Sequence, residues 1–244
     1  MTALTRACAL HAEHLGCEDA GTASDLATSV SQNRSVVRVP DFATDEEVTL
    51  LRTEGEGAAA AQGQNLLSSS STRFRIEIFG RSLSSGVALV SLSLAVQTLA
   101  DTLVRRAIVL VQTKLPALAE AFGLSACTAK TELDFSEGEP AINVYRGPGG
   151  DFKPHQDARA LTLLMPLSTH GVDYEGGGTA FYAPGVRPAD AIRGAATPTT
   201  VLRPRAGTAL LWGGTLTHAG AEVVAGRRLV FVASFSPIDA GSRC

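Results

Sequence analysis

The chain has 244 residues, of which 45% are hydrophobic and 18% are charged, and its formal net charge is −3. This balance suits a compact globular protein with a sizeable core and argues against a disordered or polyanion-binding chain, and the absence of a Lys/Arg run leaves no electrostatic footprint for nucleic acid. The four cysteines are scattered without CxxC spacing, which argues against a disulfide framework or a zinc knuckle and favours a reducing compartment.

The first 34 residues predict an N-terminal leader. Residues 3–15 have the composition of a short helix, and residues 18–34 are small and polar, so we expect this part to be loosely held. Arg6 and Glu13 interrupt any apolar region of a secretory signal. We therefore predict a cytoplasmic protein. Residues 35–39, SVVRV, predict a short strand.

A helix and a strand are predicted next. Thr44 followed by Glu47 is a capping-box pattern, and the helix that it begins is expected to run to about Gly55. Residues 55–72 are rich in Gly, Ala, Gln and Ser, so we predict a mobile connection there. Residues 72–80, TRFRIEIFG, alternate charged with apolar side chains, which is the period of a half-buried strand.

Helices give way to strands in the second half. Residues 87–112 predict one long or two short helices, and residues 116–122 a further helix that ends at Gly123. The stretch 86–111 is too often interrupted by polar and charged residues to span a membrane, so we expect no membrane partner. The segments that follow have strand character and are separated by Gly/Pro turns: 127–135, 140–146, 160–167, 179–182, 199–203, 207–212 and 228–236.

This order predicts an α+β fold with a β sandwich or barrel in its second half. Because no linker is long or polar enough to separate two domains, we expect one domain over residues 35–244. Within it, residues 35–125 would form a helical support and residues 126–238 a β core.

Three residues of the β half form a candidate metal site. His155 and Asp157 lie two positions apart after a glycine-rich turn, and in an extended chain such residues point to the same face. His218 follows an apolar strand and a Gly-Gly turn. Two His and one carboxylate with open positions are the set that favours non-haem Fe(II) and oxygen chemistry. Zinc can bind the same set, with water in its open position.

A positive charge for a co-substrate is predicted on the last strand. Side chains alternate there, so either Arg227 or Arg228 points into the barrel while the other points outward. A slip of one residue would exchange their faces. An arginine inside an apolar barrel is costly unless paired, and a ligand carboxylate would satisfy it through a bidentate contact.

The ordered set of motifs resembles the Fe(II)- and 2-oxoglutarate-dependent dioxygenases. The set comprises His155-x-Asp157, the segment 176–181 (GGGTAF), the segment 207–210 (GTAL), and His218 with Arg228 ten residues on. The prolyl 4-hydroxylase-like branch is the most similar, because Tyr145 lies ten residues before the first His and Gly226 lies two before Arg228. The segment 35–52 also resembles the N-terminal strand and helix of that branch.

The resemblance implies a role for each matching residue. His155, Asp157 and His218 would bind Fe(II), and Arg228 would bind the distal carboxylate of 2-oxoglutarate. Tyr145 would donate a hydrogen bond to that carboxylate, with Thr162 as a second candidate. The implied fold is a double-stranded β-helix, jelly-roll or cupin-like, with N-terminal helices packed on it. Ascorbate would be an optional accessory.

The implied activity is hydroxylation of an unactivated C–H bond with O2, during which 2-oxoglutarate becomes succinate. The substrate would be a prolyl residue in a peptide or protein; the alternative is a free amino acid or another small molecule. Two other classes stay open. One is a non-catalytic sensor that binds metal and 2-oxoglutarate, and the other is a zinc hydrolase, although the residue after His155 is Gln156 and not the Glu of an H-E-x-x-H site.

Three further features have two interpretations each. Arg73 and Arg75 belong either to a solvated strand face or to a substrate groove. Residues 183–198 form either a substrate lid or a plain insertion, because this segment is long for a β connection. Tyr145 is either a cofactor contact or an ordinary strand aromatic.

Overall fold

The computed structural model describes residues 10–15, 23–65, 73–79, 92–157 and 159–238. Most of the helical residues lie in the first half of the chain. The helices are α1 (Ala23–Ser31), α2 (Asp45–Asn65), α3 (Leu94–Lys114), α4 (Pro116–Ala121) and α5 (Pro188–Ile192).

The strands are short except for the last, which is 20 residues long. They are β1 (His11–His14), β2 (Ser35–Val39), β3 (Arg73–Glu77), β4 (Leu133–Phe135), β5 (Ala141–Arg146), β6 (Gly150–His155), β7 (Leu161–Pro166), β8 (Tyr174–Gly176), β9 (Thr179–Phe181), β10 (Thr200–Leu202), β11 (Ala209–Gly213) and β12 (His218–Pro237).

Strand β12 joins two antiparallel layers. Its second half lies between β5 and β7 in the order β1-β2-β11-β7-β12-β5-β3, which we call the lower layer. Its first half pairs with β6, β8 and β9, which we call the upper layer. The predicted α+β class, with helices and a large antiparallel sheet, is therefore confirmed.

The alternation along β12 separates two apolar clusters. Leu229 and Phe231 are fully buried in the cluster that contains the helices, which includes Val96, Leu103 and Val111 of α3. Val230 is buried in a second cluster, between the layers, together with aromatic residues of the upper layer. The helices thus cover one face of the lower layer, and the other face is left to line the interior.

The N-terminal part differs from the predicted leader. Residues 11–14 form a strand and not part of a helix, because their backbone pairs with β2. Residues 23–31 form α1, which buries Leu26, Ala27 and Val30 against the core. The spacing of these three residues on one helical face outweighs the polar composition around them.

Helix α2 runs ten residues beyond its predicted end at Gly55. A Cβ at Gly55 would lie 2.8 Å from the Ile142 side chain, so this glycine permits close packing and does not end the helix. The alanines that follow have high helix propensity, and Ala58 and Ala59 are buried. The prediction of a mobile connection is therefore wrong for residues 55–65, and residues 66–72 lie outside the described ranges.

Most of the other predicted helices and strands agree with the structure. The capping box is confirmed, since the Thr44 N–H donates to Glu47 Oε2 (2.9 Å) and the Glu47 N–H donates to Thr44 Oγ1 (3.2 Å). A single helix, α3, covers the described part of 87–112, with Ser93 as its N-cap. Each of the seven predicted strand segments contains a strand, but β6, β8 and the first ten residues of β12 were missed. Their Gly-rich sequences had predicted turns.

None of the helices in the described ranges is long and apolar enough to cross a bilayer.

One ion pair joins the two long helices and supplies the first test. Arg106 of α3 donates to both carboxylate oxygens of Glu47 (2.6 and 2.9 Å) and to the Phe42 carbonyl (2.7 Å). Both side chains are about one-fifth exposed, at 19% and 20%. Arg106→Ala should lower the free energy of unfolding by about 2 to 3 kcal/mol, because charged hydrogen bonds are lost from a mostly buried site.

Urea denaturation measures this change, and Lys130→Ala is the control. Lys130 is an exposed cation in a loop, so its loss should change stability by less than about 0.5 kcal/mol. Equal, small effects of both substitutions would contradict the role given to Arg106.

Candidate metal site

The upper layer places the two predicted His ligands side by side. His155 ends β6, His218 begins β12, and the two residues are directly paired across the strands. The ring centroids are 4.2 Å apart. Asp157 lies just past β6, where its N–H donates to the Gly214 carbonyl (2.8 Å). The turn before β12 therefore holds the carboxylate beside the imidazoles.

The ligand atoms of the three side chains converge on one point. One atom from each of His155, Asp157 and His218 lies within 4.8 Å of the others. The Asp157 carboxylate oxygens are 3.4 Å from Nε2 of His155 and 3.5 Å from Nε2 of His218. The structure thus brings together all three residues that the sequence predicted as ligands.

Backbone contacts fix which imidazole nitrogen faces this point. Nδ1 of His155 lies 2.9 Å from the Lys153 carbonyl, and Nδ1 of His218 lies 2.9 Å from the Leu216 carbonyl. A carbonyl only accepts hydrogen bonds, so each neutral ring carries its proton on Nδ1 and turns the Nε2 lone pair toward Asp157. Two lone pairs and a carboxylate that face one another form a cation site with metal-ligand geometry.

The Asp157 carboxylate is held in its charged form. Burial raises its pKa, but at the acidic pH where this carboxyl titrates, the protonated rings of His218 and His155 and the hydrogen bond from Thr162 outweigh that effect and lower the pKa to about 2. The Thr162 hydroxyl donates to Asp157 Oδ2 at 2.6 Å. The Ser136 hydroxyl donates to the Asp157 backbone carbonyl at 2.8 Å. Nothing in the sequence indicated Ser136, because it lies 21 residues before Asp157, directly after β4.

His218 is buried among aromatic side chains. Burial lowers its pKa, as does the neighbouring His155, while Asp157 raises it; the net shift is downward, which favours the neutral ring that a metal needs. The Trp212 ring lies edge-on to it, with centroids 4.9 Å apart, and Phe181 lies 6.2 Å away. The side chain of His155 is 27% exposed, against 6% for His218 and 7% for Asp157, so the site opens to solvent on the His155 side.

Arg228 is buried in the same interior. It is 2% exposed, its Nη2 donates to Thr179 Oγ1 (2.9 Å), and its Cζ lies 5.2 Å from the Tyr145 ring. Its Nε is buried without a hydrogen-bond partner, and no carboxylate among the described residues pairs with it. Arg227, by contrast, is exposed. A buried guanidinium with unused donors fits a ligand carboxylate.

The other predicted cofactor contacts differ in position. Tyr145 lies directly across from Arg228 in the β5–β12 pairing, and burial raises its pKa although Arg228 lowers it. The Thr162 hydroxyl points to Asp157 instead, so it supports a metal ligand and is not directed at Arg228. Thr179, whose hydroxyl accepts a hydrogen bond from Arg228, was missed. It lies within the GGGTAF segment, but nothing in the sequence indicated that its side chain would contact an arginine of the last strand.

The two arginines of β3 have separate surroundings. Arg75 donates to Glu139 Oε1 at 2.8 Å and to the Gly138 carbonyl, so it anchors the turn before β5. Burial raises the pKa of Glu139, and Arg75 lowers it; the net shift is upward. Arg73 stacks over Phe152 at 3.8 Å, and the Phe152 ring lies 4.1 Å from the His155 ring. Arg73 therefore lies at the open side of the site.

Comparison with known proteins supports the interpretation of this site. Residues 140–235, which contain the triad and Arg228, match the model of the 2OG-Fe(II) oxygenase superfamily. A multifunctional procollagen lysine hydroxylase and glycosyltransferase from Rattus norvegicus is 37% identical over 87 residues, a match that covers 35% of this chain and 10% of that protein's length.

Two solved structures with similar chains are prolyl hydroxylases. The viral collagen prolyl hydroxylase from Paramecium Bursaria Chlorella virus-1 is 15% identical with a TM-score of 0.47, and the match covers 84% of this chain and 96% of that chain. The prolyl-4-hydroxylase from Pseudomonas putida is 13% identical with a TM-score of 0.47, covering 87% and 100%.

The resemblance to Fe(II)- and 2-oxoglutarate-dependent oxygenases that the sequence indicated is confirmed by the family match. The two cofactors of this family fit the residues present. The triad offers two imidazole nitrogens and a carboxylate for Fe(II). The buried Arg228, with its unused Nε, offers a site for a carboxylate of 2-oxoglutarate.

The triad predicts a clear effect of mutation on metal binding. His218→Ala and Asp157→Asn should each weaken Mn(II) binding by at least about tenfold, because each removes a ligand or its charge. Isothermal titration with Mn(II) measures the change in dissociation constant.

His170→Ala is the matched control. His170 is another histidine of the β half, lies 3.7 Å from Glu175, and is not part of the triad. Its loss should leave Mn(II) affinity unchanged. If the His218 and His170 variants bound Mn(II) equally well, the ligand assignment would be wrong.

Proposed function

We propose that this chain, whose residues 140–235 match the 2OG-Fe(II) oxygenase superfamily, is a dioxygenase that hydroxylates an unactivated C–H bond of a prolyl residue in a peptide or protein. One observation carries the proposal. The triad, through His218 beside Trp212, and the incompletely paired guanidinium of Arg228, beside Tyr145, both border the apolar cluster between the layers. This pairing suits a metal and a dicarboxylic co-substrate that chelates it.

His155, Asp157 and His218 hold the metal in this proposal. Iron and 2-oxoglutarate, when bound, supply O2 activation with decarboxylation of 2-oxoglutarate to succinate. The chain supplies the rest. The Nδ1 contacts of both histidines fix the direction of their Nε2 atoms, Thr162 orients the carboxylate of Asp157, and Trp212 excludes water beside His218.

Arg228 binds the distal carboxylate of 2-oxoglutarate, and Tyr145 donates to the same group. Their pairing across β5 and β12 and the 5.2 Å approach of the guanidinium to the phenol ring support these roles. Thr179 orients the guanidinium from the upper layer. Trp212 Nε1 and Ser234 Oγ are also buried without partners, which suits an interior that receives a polar ligand.

We assign the strands to a double-stranded β-helix, with residues 35–125 as helical support and residues 126–238 as the core. The sharing of β12 between the lower and upper layers, with the triad in the upper layer and Arg228 at the junction, supports this assignment. We place the reaction in the cytoplasm, in keeping with the scattered cysteines of the sequence.

A free amino acid is the second candidate substrate, and Arg73 favours it. Its guanidinium lies at the exposed, His155 side of the triad, held by the ring of Phe152. A cation at that position attracts a carboxylate close to the reacting carbon. A blocked prolyl peptide has no such group, whereas free L-proline does.

Succinate release tests the proposed function. The assay compares proline-containing peptides, free L-proline and other free amino acids, with saturating Fe(II) and 2-oxoglutarate. Succinate that rises with one substrate supports the dioxygenase. An iron-binding protein that releases no succinate under any of these conditions would be a non-catalytic sensor, and hydrolysis with Zn(II) would indicate the zinc hydrolase.

Arg228 is the residue whose substitution should affect 2-oxoglutarate most. Loss of a charge-assisted bidentate pair in a buried site costs roughly 2–5 kcal/mol, so Arg228→Ala should raise the KM for 2-oxoglutarate by about 30-fold or more. Arg228→Lys should restore part of the affinity, because it keeps the charge and loses the planar fork. The KM is measured at saturating iron.

Arg227→Ala is the control for that series. It removes the neighbouring, exposed guanidinium and should change the KM for 2-oxoglutarate by less than about threefold. The reverse ranking of the two alanine variants would move the anchor to Arg227.

Arg73 provides a test of the substrate class. Arg73→Ala should raise the KM for free L-proline by about tenfold through loss of a charged contact, and should change the KM for a blocked prolyl peptide by less than about threefold. Lys153→Ala is the control, since Lys153 is a nearby exposed cation paired with Asp151 at 2.6 Å. Unchanged kinetics with both substrates would remove Arg73 from the substrate site.

A further inference from the structure

The segment 183–198 packs on the outer face of the upper layer. Its side chains Val186, Ala191 and Ala196 pack against Tyr182 and Ala219, which point away from the interior. The ring of His218, next to Ala219, points inward to Trp212. The segment is therefore on the far side of the layer from the triad, and the strands of the upper layer lie between them.

One buried hydroxyl connects this segment to the metal ligands. Thr217 is 2% exposed, and its hydroxyl donates to the Val186 carbonyl at 2.5 Å. It also accepts a hydrogen bond from Gln156 Nε2 at 3.1 Å. A hydroxyl has one proton, so the direction of both bonds is fixed. The Thr217 carbonyl accepts a third bond, from the Tyr182 N–H at 3.1 Å.

The two ends of this connection are the ligand-bearing strands. Gln156 lies between the ligands His155 and Asp157, and Thr217 immediately precedes the ligand His218. The regular pairing of β6 with β12 becomes irregular beyond His218. The Gln156–Thr217 bond is thus a side-chain tie between the two strands at the level of the triad.

We propose that Thr217 is a positioning residue that couples metal binding at the triad to the conformation of the segment 183–198. The inference rests on the proposed function, because it takes His155, Asp157 and His218 as metal ligands. Coupling between two sites is reciprocal. The segment holds the ligand strands in register through Thr217, and a bound metal in turn stabilises the segment.

Mn(II) binding and limited trypsin digestion test both directions of the coupling. Arg193 of the segment, with its side chain 65% exposed and Gly194 after it, is the cleavage site to follow, because trypsin does not cut the Arg187–Pro188 bond. In the wild type, saturating Mn(II) should slow cleavage at this site. Thr217→Val should raise the Mn(II) dissociation constant by roughly three- to tenfold, the equivalent of one lost hydrogen bond, and should abolish the protection.

Thr215→Val is the matched control. Thr215 lies in the same turn and accepts a hydrogen bond of similar length, 2.9 Å from Asn33 Nδ2, but it contacts neither Gln156 nor Val186 by hydrogen bond. It should keep wild-type Mn(II) affinity and protection. A general loss of stability in the turn would instead affect both variants.

Gln156→Leu removes only the hydrogen bond between Gln156 and Thr217, and it does so at an exposed position. It should also weaken Mn(II) binding and reduce protection, and it decides the matter if the Thr217 variant fails to fold. Wild-type affinity and protection in a folded Thr217→Val or Gln156→Leu variant would overturn the inference. Failure of the wild type itself to bind Mn(II) would instead reject the metal site of the proposed function.

Discussion

The antiparallel pairing of β6 with β12 is the constraint on which the site depends. It places His155 opposite His218, so two side chains that are 63 positions apart in the chain present Nε2 atoms to one carboxylate. The carbonyls of Lys153 and Leu216, each two residues before its histidine, set both tautomers. The same local geometry is thus used twice, once on each strand. The Asp157 N–H, bound to the Gly214 carbonyl, adds the carboxylate to this pair. A negative group facing two lone pairs is stable only with a cation, whether protons or a metal.

The interior between the layers contains charged side chains, whose burial in an apolar core is unfavourable unless they have polar partners. Arg228 has Thr179 and the Tyr145 ring as neighbours, and these leave part of its hydrogen-bonding capacity unused. Glu139, in contrast, is paired with Arg75. A fully paired buried ion pair has a structural role, while an incompletely paired guanidinium in a closed interior implies a ligand. This difference supports the proposal that Arg75 stabilises the site, whereas Arg228 binds the ligand.

The helical part determines how rigidly the lower layer is held. Helix α3 buries a continuous apolar face, and Arg106 joins it to the start of α2 through Glu47. Gly55 lets α2 approach β5 closely at Ile142. Strand β5 carries Tyr145 on its opposite face, so the position of the phenol depends on this packing. Helices α2 and α3 therefore contribute to the site through the lower layer that they support.

The sequence alone was sufficient to predict the α+β class, seven strand segments of the second half, the capping box at Thr44 and the identity of the three converging side chains. These are local patterns: alternation, helix signals and the spacing of His155 and Asp157 depend on neighbouring residues. The tertiary structure was needed to show where Thr162, Thr179 and Ser136 act, because their partners are brought close only by the fold. It also decided that α2 continues past Gly55 and that residues 11–14 form a strand, since close packing and cross-strand hydrogen bonds override local propensity. The exposure of Arg227 and the burial of Arg228 depend on both the sequence and the tertiary structure. The alternation of side chains along the strand required that the two point to opposite sides, and the pairing of β12 with β5 fixed which one is inside.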